Sequence, residues 1–221
     1  MIHGAVFDLD GTLVDNIRFH YEAFRTLASR LGLVMDEATF QSFNGLKNED
    51  IFPRFLGRKL TRTESEALSD EKESTYRALY RPELAAHRGA SALLVRLHAA
   101  GMKLAVASSA PPANRAMVLD GLGWNDHFDA VVASEGLRGK PAPDIFLAAA
   151  ERIGVLPAAC VAFEDATNGI QAATAAGMIV VGVTTNVAAS VLVDAGARFT
   201  VADFTVLPPD LEAMLTRRAF P

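Results

Sequence analysis

Short unbroken apolar runs and longer stretches of helical spacing divide this chain into two textures. Ile2 to Phe7 is short, largely apolar and partly β-branched, the pattern of a buried strand. A polar loop, Asp8 to Asp15, follows it. From Asn16 to about Pro82 strand signals are few. Phe19, Ala23, Phe24 and Leu27 recur at helical spacing, and Gly32 marks a stop. Thr61-Arg62-Thr63-Glu64 is a capping-box pattern that opens a charged helix running towards Tyr80.

Beyond residue 84 the pattern becomes regular. Helix Ala90–Ala100 stops at Gly101, strand Lys103–Ala107 follows, then a helix after Pro112 and strand Phe128–Ala133. A helix opens at Pro143, a tolerated first-turn position for proline. Strand Cys160–Phe163, helix Asn168–Ala176 and strand Met178–Val183 complete the series. Apolar strands alternating with helices imply right-handed crossovers and a parallel sheet covered on both faces. The expected fold class is α/β. A Rossmann-like core takes residues 1–15 and 84–221, and a helical domain, residues 16–83, is inserted after the first strand. The chain shows no internal repeat or low-complexity tract.

The 221 residues carry 21 Lys+Arg against 26 Asp+Glu, a net charge of -5. A nucleic-acid binder needs a basic excess, so that class of partner is set aside. A small phosphorylated metabolite is not excluded, since a few local positive groups capture it. No apolar stretch approaches the ~18 residues that span a bilayer, so no membrane partner is expected. The first residues lack a basic leader, and the one cysteine, Cys160, sits in an apolar run and reads as a buried thiol in a reducing compartment. Both observations point to the cytoplasm. The oligomeric state leaves no trace in the pattern.

In open parallel sheets, ligands bind beyond the carboxyl ends of the strands. Asp8-Leu9-Asp10-Gly11-Thr12 follows the first strand and Ser108-Ser109 the next. The loop after Phe128–Ala133 leads to Lys140-Pro141, and Glu164-Asp165 follows Cys160–Phe163. Four carboxylates, a lysine and a hydroxyl therefore converge on one rim. Like charges so close disfavour ionisation. A hard divalent cation relieves the conflict, and Mg²⁺ typically takes one or two carboxylates plus substrate phosphate and water. A carboxylate beside such a cation and a phosphate is a recognised nucleophile, forming an aspartyl-phosphate.

Asp8-Leu9-Asp10-Gly11-Thr12-Leu13-Val14-Asp15 resembles the first motif of the haloacid dehalogenase superfamily. Ser108, Lys140-Pro141 and Glu164-Asp165 resemble its second, third and fourth motifs, in order. Lys140-Pro141-Ala142-Pro143-Asp144-Ile145-Phe146, with Phe163-Glu164-Asp165-Ala166 and Gly169-Ile170-Gln171-Ala172-Ala173, resembles the β-phosphoglucomutase-like branch. The resemblance covers nearly the whole chain and is strongest in the core.

It implies Asp8 as nucleophile and Asp10 as general acid and base, with a pKa near working pH. Ser108, with Ser109 beside it, would bind phosphoryl oxygens, and Lys140 would balance charge. Mg²⁺ would be held by the Asp8 carboxylate, the Asp10 backbone carbonyl and the Asp165 carboxylate, with Glu164 acting through a metal-bound water. The insert resembles the helical cap of this branch, whose loop Asn44-Gly45-Leu46-Lys47-Asn48 would bring Asn44 and Lys47 to the substrate.

Mutase relatives hold a second phosphate with a cap arginine and with polar and lysine residues after the second motif. Here those positions are Asn48 and Ala110-Pro111-Pro112, which favours hydrolysis, as Thr12 also does. A dehalogenase has no use for Asp10. A phosphonatase uses a cap lysine, where Lys47 stands, but lacks an acid at the position of Asp10. A non-catalytic binding protein has no use for the full motif set. The bland readings are turn residues for Asp8 and Asp10, a solvated Lys140, a helix cap at Ser108, a packing histidine at His20 and a core Trp124. Gly121-Leu122-Gly123 lacks the third glycine of a dinucleotide fingerprint and is set aside.

Overall fold

The computed structural model describes residues 1–43 and 45–216. Six strands form one sheet: β1 (Gly4–Phe7), β2 (Lys103–Ser108), β3 (Ala130–Ala133), β4 (Cys160–Glu164), β5 (Ile179–Val183) and β6 (Phe199–Val201). All neighbours are parallel, in the order β3-β2-β1-β4-β5-β6. The chain builds outward from β1 through β2 to β3, then crosses back to lay β4 on the other side of β1. The carboxyl ends of β1 and β4 thus meet where the winding reverses, the point at which such sheets bind ligands. Phe7 pairs with Val106 on one side and Phe163 on the other. The Phe7 and Phe163 rings stack with centroids 4.8 Å apart. That register delivers Asp8 next to Glu164.

Between β1 and β2 run α1 (Ile17–Arg30), α2 (Glu37–Ser42), α3 (Asn48–Leu56) and α4 (Arg62–Tyr80), then α5 (Ala90–Ala99). The first of these helices ends before Gly32, whose φ is 71°. The capping box at the start of α4 is complete: the Thr61 side chain accepts from the Glu64 amide at 3.2 Å and the Glu64 carboxylate accepts from the Thr61 amide at 2.8 Å. Phe24, Leu27, Ala28, Met35, Phe43, Ile51 and Phe52 form a core of their own within α1 to α3 and the loops joining them.

The remaining helices are α6 (Pro112–Gly121), α7 (Asp144–Arg152), α8 (Thr167–Ala175), α9 (Ala189–Asp194) and α10 (Pro209–Thr216). Successive strand residues point to opposite faces. Ala5 and Phe7 pack with Leu104, Val106, Val161 and Phe163 against Leu94 and Leu97 of α5 and Leu211 of α10. Val6 packs with Ala105, Ala107 and Ala162 against Ile145 and Phe146 of α7 and Ile170 of α8. Each large side chain so buried stabilises by about 1.5–3 kcal/mol. Trp124 fills the first of these cores, its indole N–H reaching Ser91 Oγ at 3.2 Å. No helix among the described residues is long and apolar enough to cross a membrane.

The structure trims three expected strands, β5 by Met178 alone, and adds three elements past Val183. β1 starts at Gly4, where a Cβ would come within 2.9 Å of Cys160 Sγ on the neighbouring strand. β3 starts at Ala130, because the Asp129 carboxylate takes the Leu104 amide at 2.9 Å and the Lys103 amine at 2.6 Å. β6, α9 and α10 extend the alternation past Val183.

Candidate functional site

A cleft opens above the ends of β1, β2 and β4, roofed by α1, α3, α4 and the α2–α3 loop. Asp8, Asp10, Ser108, Ser109, Lys140, Glu164 and Asp165 line it from below. His20, Phe24, Leu46, Asn48, Lys72 and Glu73 are among the residues lining it from above.

Lys140 is the centre of the lower half. Its ammonium donates to Asp8 Oδ1 at 2.6 Å and to Glu164 Oε1 at 2.6 Å. Glu164 is fully buried, and its second oxygen accepts from the Ala166 amide at 2.7 Å. Only glycine permits α8 to pass so close: a Cβ on Gly169 would lie 1.7 Å from Glu164 Oε1. Asp165 accepts from Thr12 Oγ1 at 3.0 Å and from Asn186 Nδ2 at 3.4 Å. Gly11, at φ 79°, lets the loop after β1 turn beneath it, where a Cβ would fall 2.2 Å from Asp165 Oδ2. The Ser108 hydroxyl accepts from the Ala110 amide at 3.1 Å.

Charge in this half is undercompensated. Burial pushes the Asp8 carboxyl up to about 7 against the pull of Lys140, and the Glu164 charge adds to the rise. Burial likewise raises Asp165 well above the carboxylate range, with the Glu164 and Asp8 charges adding to it. Burial alone would lower Lys140, but the Asp8 and Glu164 charges hold it above the usual lysine value. One amine thus faces three neighbouring acids, and a divalent cation would supply the missing counter-charge. Among the described residues, no three His, Cys, Asp or Glu side chains gather into a self-sufficient metal cage. Asp8 and Asp165, with the Asp10 backbone carbonyl, would offer the oxygen donors that Mg²⁺ takes beside phosphate and water. The residues fit the ion.

Asp10 belongs to a different environment. Its Oδ1 accepts from Asn16 Nδ2 at 2.5 Å, and its Oδ2 lies 3.8 Å from His20 Nε2. Burial would raise this carboxyl, but the nearby His20 N–H and the Asn16 amide hold it below the usual range. The expected pKa near working pH is therefore absent here, because Asp10 turns towards α1 and away from the other acids.

The upper half is a continuous chain of polar contacts. Asn16 also accepts from the Gly11 amide at 3.0 Å and donates to Tyr76 Oη at 2.6 Å. The Tyr76 ring stacks on His20 at 3.8 Å. The Lys72 ammonium lies 2.7 Å from His20 Nδ1 and 2.9 Å from Glu73 Oε1. An ammonium only donates, so Nδ1 accepts and Nε2 carries its hydrogen towards Asp10. Burial opposes ionisation of Glu73, but the Lys72 charge and the bonds from Lys72 and Asn48 bring it down to about 2.

A model of the haloacid dehalogenase-like hydrolases matches residues 2–177. The chain belongs to that family. This hydrolase is 35% identical over 181 residues to the fructose-1-phosphate phosphatase of Escherichia coli (strain K12), covering 81% of the chain and 95% of that protein. It is 35% identical over 187 residues to the β-phosphoglucomutase of Bacillus subtilis (strain 168), covering 80% of the chain and 81% of that protein. Among solved structures, the β-phosphoglucomutase of Clostridium difficile superposes with a TM-score of 0.85 at 28% identity, over 97% of each chain.

Of the residues singled out in the sequence, the structure of the hydrolase gathers Asp8, Asp10, Ser108, Ser109, Lys140, Glu164 and Asp165 around one cleft. Both Glu164 oxygens are taken by protein donors, Lys140 and the Ala166 amide. Lys47 goes elsewhere. It is not among the cleft-lining residues, and its buried amine donates to the Ser134 carbonyl at 2.7 Å and the Leu137 carbonyl at 2.6 Å. It fastens the α2–α3 loop to the segment leading to Lys140 rather than reaching a ligand. Asn44 lies outside the described residues.

Asn16, Lys72, Glu73, Tyr76 and Asn114 carry the upper half and were not singled out. Asn16 precedes α1 and reads as an N-cap, yet its side chain makes no cap bond and turns into the site. Lys72 and Glu73 sit in a Glu-rich, charged helix and read as a solvated face, though both are buried. The available signal was at Asn16, five residues past the Gly11 that it holds.

Proposed function

We propose that this hydrolase is a Mg²⁺-dependent phosphatase that cleaves a small phosphorylated metabolite, a sugar phosphate foremost, through an aspartyl-phosphate at Asp8. The observation that carries the reading is the Asp8–Lys140–Glu164 cluster beside Asp165 at the reversal point of the sheet. Residues 1–15 and 84–221 form the catalytic core, and residues 16–83 act as the cap that covers the cleft and excludes water. The free, buried thiol of Cys160, which burial raises to about 11, accords with a cytoplasmic location.

Asp8, the Asp10 carbonyl and Asp165 are the groups that would hold Mg²⁺, with Glu164 behind them steadying Lys140. The ion supplies positive charge where an anionic nucleophile meets an anionic phosphate. Lys140 adds to that charge and orients Asp8. An Asp8 oxygen attacks phosphorus, the ester P–O bond breaks, and Asp10 gives its proton to the departing alkoxide. Asp10 then takes a proton from water as that water attacks the aspartyl-phosphate, releasing phosphate and restoring Asp8. In the structure Asp10 is held in its ionised form, ready for the second half. The first half needs the proton, and the charge of a bound phosphate dianion is the influence that raises an adjacent carboxyl. Ser108 and Ser109 are the hydroxyls available to the phosphoryl oxygens.

The second reading is a phosphosugar mutase, favoured by the 35% identity to a β-phosphoglucomutase. Asn48 and Ala110-Pro111-Pro112 offer no cation for a second phosphate, which supports hydrolysis instead. Lys47, with its amine tied to two carbonyls, is poorly placed for Schiff-base chemistry. The test is Mg²⁺-dependent phosphate release from an aryl phosphate, followed by a panel of sugar phosphates. Background release by the wild type and Asp8→Asn alike would sink the enzyme reading. Conversion of β-glucose 1-phosphate to glucose 6-phosphate, primed by a bisphosphate and faster than phosphate release, would overturn hydrolysis in favour of the mutase.

A further inference from the structure

The upper wall of the cleft holds a carboxylate that the proposed reaction does not use. Glu73 lines the cleft together with Asn48 and the Ser109, Ala110 and Pro111 turn. The side-chain donors around it are already engaged. Asn48 Nδ2 donates to Ser69 Oγ at 2.8 Å and to Glu73 Oε1 at 2.7 Å. A carboxylate only accepts, so this contact fixes the amide orientation and leaves Asn48 its carbonyl oxygen to offer. Asn114 Nδ2, on α6, donates to Glu73 Oε2 at 2.7 Å, while its Oδ1 accepts from Arg77 at 2.9 Å. The Lys72 ammonium is neutralised by Glu73 and lies 4.7 Å over the Phe24 ring. The Ala110 amide is given to Ser108, and Pro111 and Pro112 have no amide hydrogen. Apart from the Ser109 hydroxyl, which can donate or accept, these side chains leave oxygen acceptors, the Glu73 carboxylate among them, and no unpaired cation to the cleft.

We infer that Glu73 is a specificity-determining residue: it rejects substrates with a second anionic group remote from the reacting phosphate and selects monophosphates whose remote end is uncharged and hydroxyl-bearing. The inference rests on the phosphate-ester reading of the cleft and narrows its substrate class. A second phosphate entering this wall would lose its water, find no unengaged cation, and face a fixed carboxylate. A hydroxyl-bearing end finds acceptors and gives up little on desolvation.

The test measures binding, so that it does not depend on turnover. With Asp8→Asn protein in Mg²⁺, calorimetry compares a hexose 1-phosphate with the matching hexose 1,6-bisphosphate. The monophosphate is expected to bind at least about tenfold more tightly. Adding Glu73→Gln should shrink that ratio about tenfold, and adding Asn48→Arg, which keeps Glu73 but supplies a cation, should shrink it as well. If Glu73 merely struts α4 against α6, its replacement weakens both ligands in parallel and the ratio stands. Equal affinities before any change to the wall, a ratio unmoved by both substitutions, or failure of the hexose 1-phosphate to bind would overturn the inference. Asn48→Arg alone decides the matter if Glu73→Gln does not fold. Failure to release phosphate from an aryl phosphate speaks to the reaction and not to this ratio.

Discussion

The two halves of the cleft solve opposite electrostatic problems. Below, at the strand ends, Asp8, Glu164 and Asp165 crowd around the single ammonium of Lys140, and burial raises Asp8 and Asp165. Above, on the helices, Asn16, His20, Lys72, Glu73, Asn48 and Asn114 join in a chain that lowers Asp10 and Glu73. The lower half is left wanting positive charge and is built to receive it with a substrate. The upper half is complete in itself and can afford only ligands that do not disturb it. On the proposed reading, reactivity and selectivity sit on different secondary structure.

Breaking the lower half should have the larger effects. Asp8→Asn removes the proposed nucleophile, and kcat for an aryl phosphate is expected to fall at least about 10⁴-fold. Thermal unfolding of the same metal-free protein at pH 8 should move upward, because one buried negative charge has gone. Lys140→Met leaves Asp8 and Glu164 facing each other without their shared cation. Chemical denaturation should show a loss of about 3–5 kcal/mol at pH 8. Near pH 5 the loss should be smaller, since protons then take over part of the cation's role.

Magnesium sharpens the comparison. The folded-state pKa of Asp8, about 7, lies above its unfolded value of 3.8. The folded protein therefore holds more protons between those values, and this group's contribution to stability declines as pH rises through that window. On the proposed reading Mg²⁺ replaces the proton. Near a hundredfold excess over its dissociation constant, the ion should add about 2.7 kcal/mol, or about 5–10 °C in Tm, at pH 8. The gain at pH 5 should be clearly smaller. An equal gain at both pH values would break the link between the metal and the crowded acids.

The upper half should respond more mildly. Asn114→Ala strands one oxygen of Glu73 and one donor of Arg77, at a cost of about 1–3 kcal/mol in denaturant unfolding. Its stability loss should not depend on Mg²⁺. A loss that Mg²⁺ reverses would erase the distinction between the two halves.

The same contrast explains what was legible in the sequence. Asp8, Ser108, Glu164 and Asp165 each lie at or just past a strand, with Lys140 at the end of the loop that follows β3, and strands announce themselves as apolar runs. Parallel pairing then brings their ends together with no further information, as the Phe7–Phe163 register does for Asp8 and Glu164. Helical residues carry no such address. Lys72 and Glu73 look solvated until α4 is packed over the cleft, and Asn16 looks like a cap until its side chain turns inward. Lys47 sits in a loop that does border the cleft at Gly45, Leu46 and Asn48, but its long side chain reaches the Ser134 and Leu137 carbonyls instead. β6 escaped notice because three residues are too few to show a period. The depressed Asp10 was equally hidden, since its partners Asn16 and His20 come from the helical side.

The most direct test is to capture the covalent intermediate. The hydrolase is mixed with an aryl phosphate and Mg²⁺, quenched in acid within the first turnovers, digested, and its peptides weighed. One added phosphoryl group should appear on the peptide containing Asp8, and it should vanish when the metal is chelated. A phosphoryl group on any other peptide, or undiminished turnover with asparagine at position 8, would contradict the account.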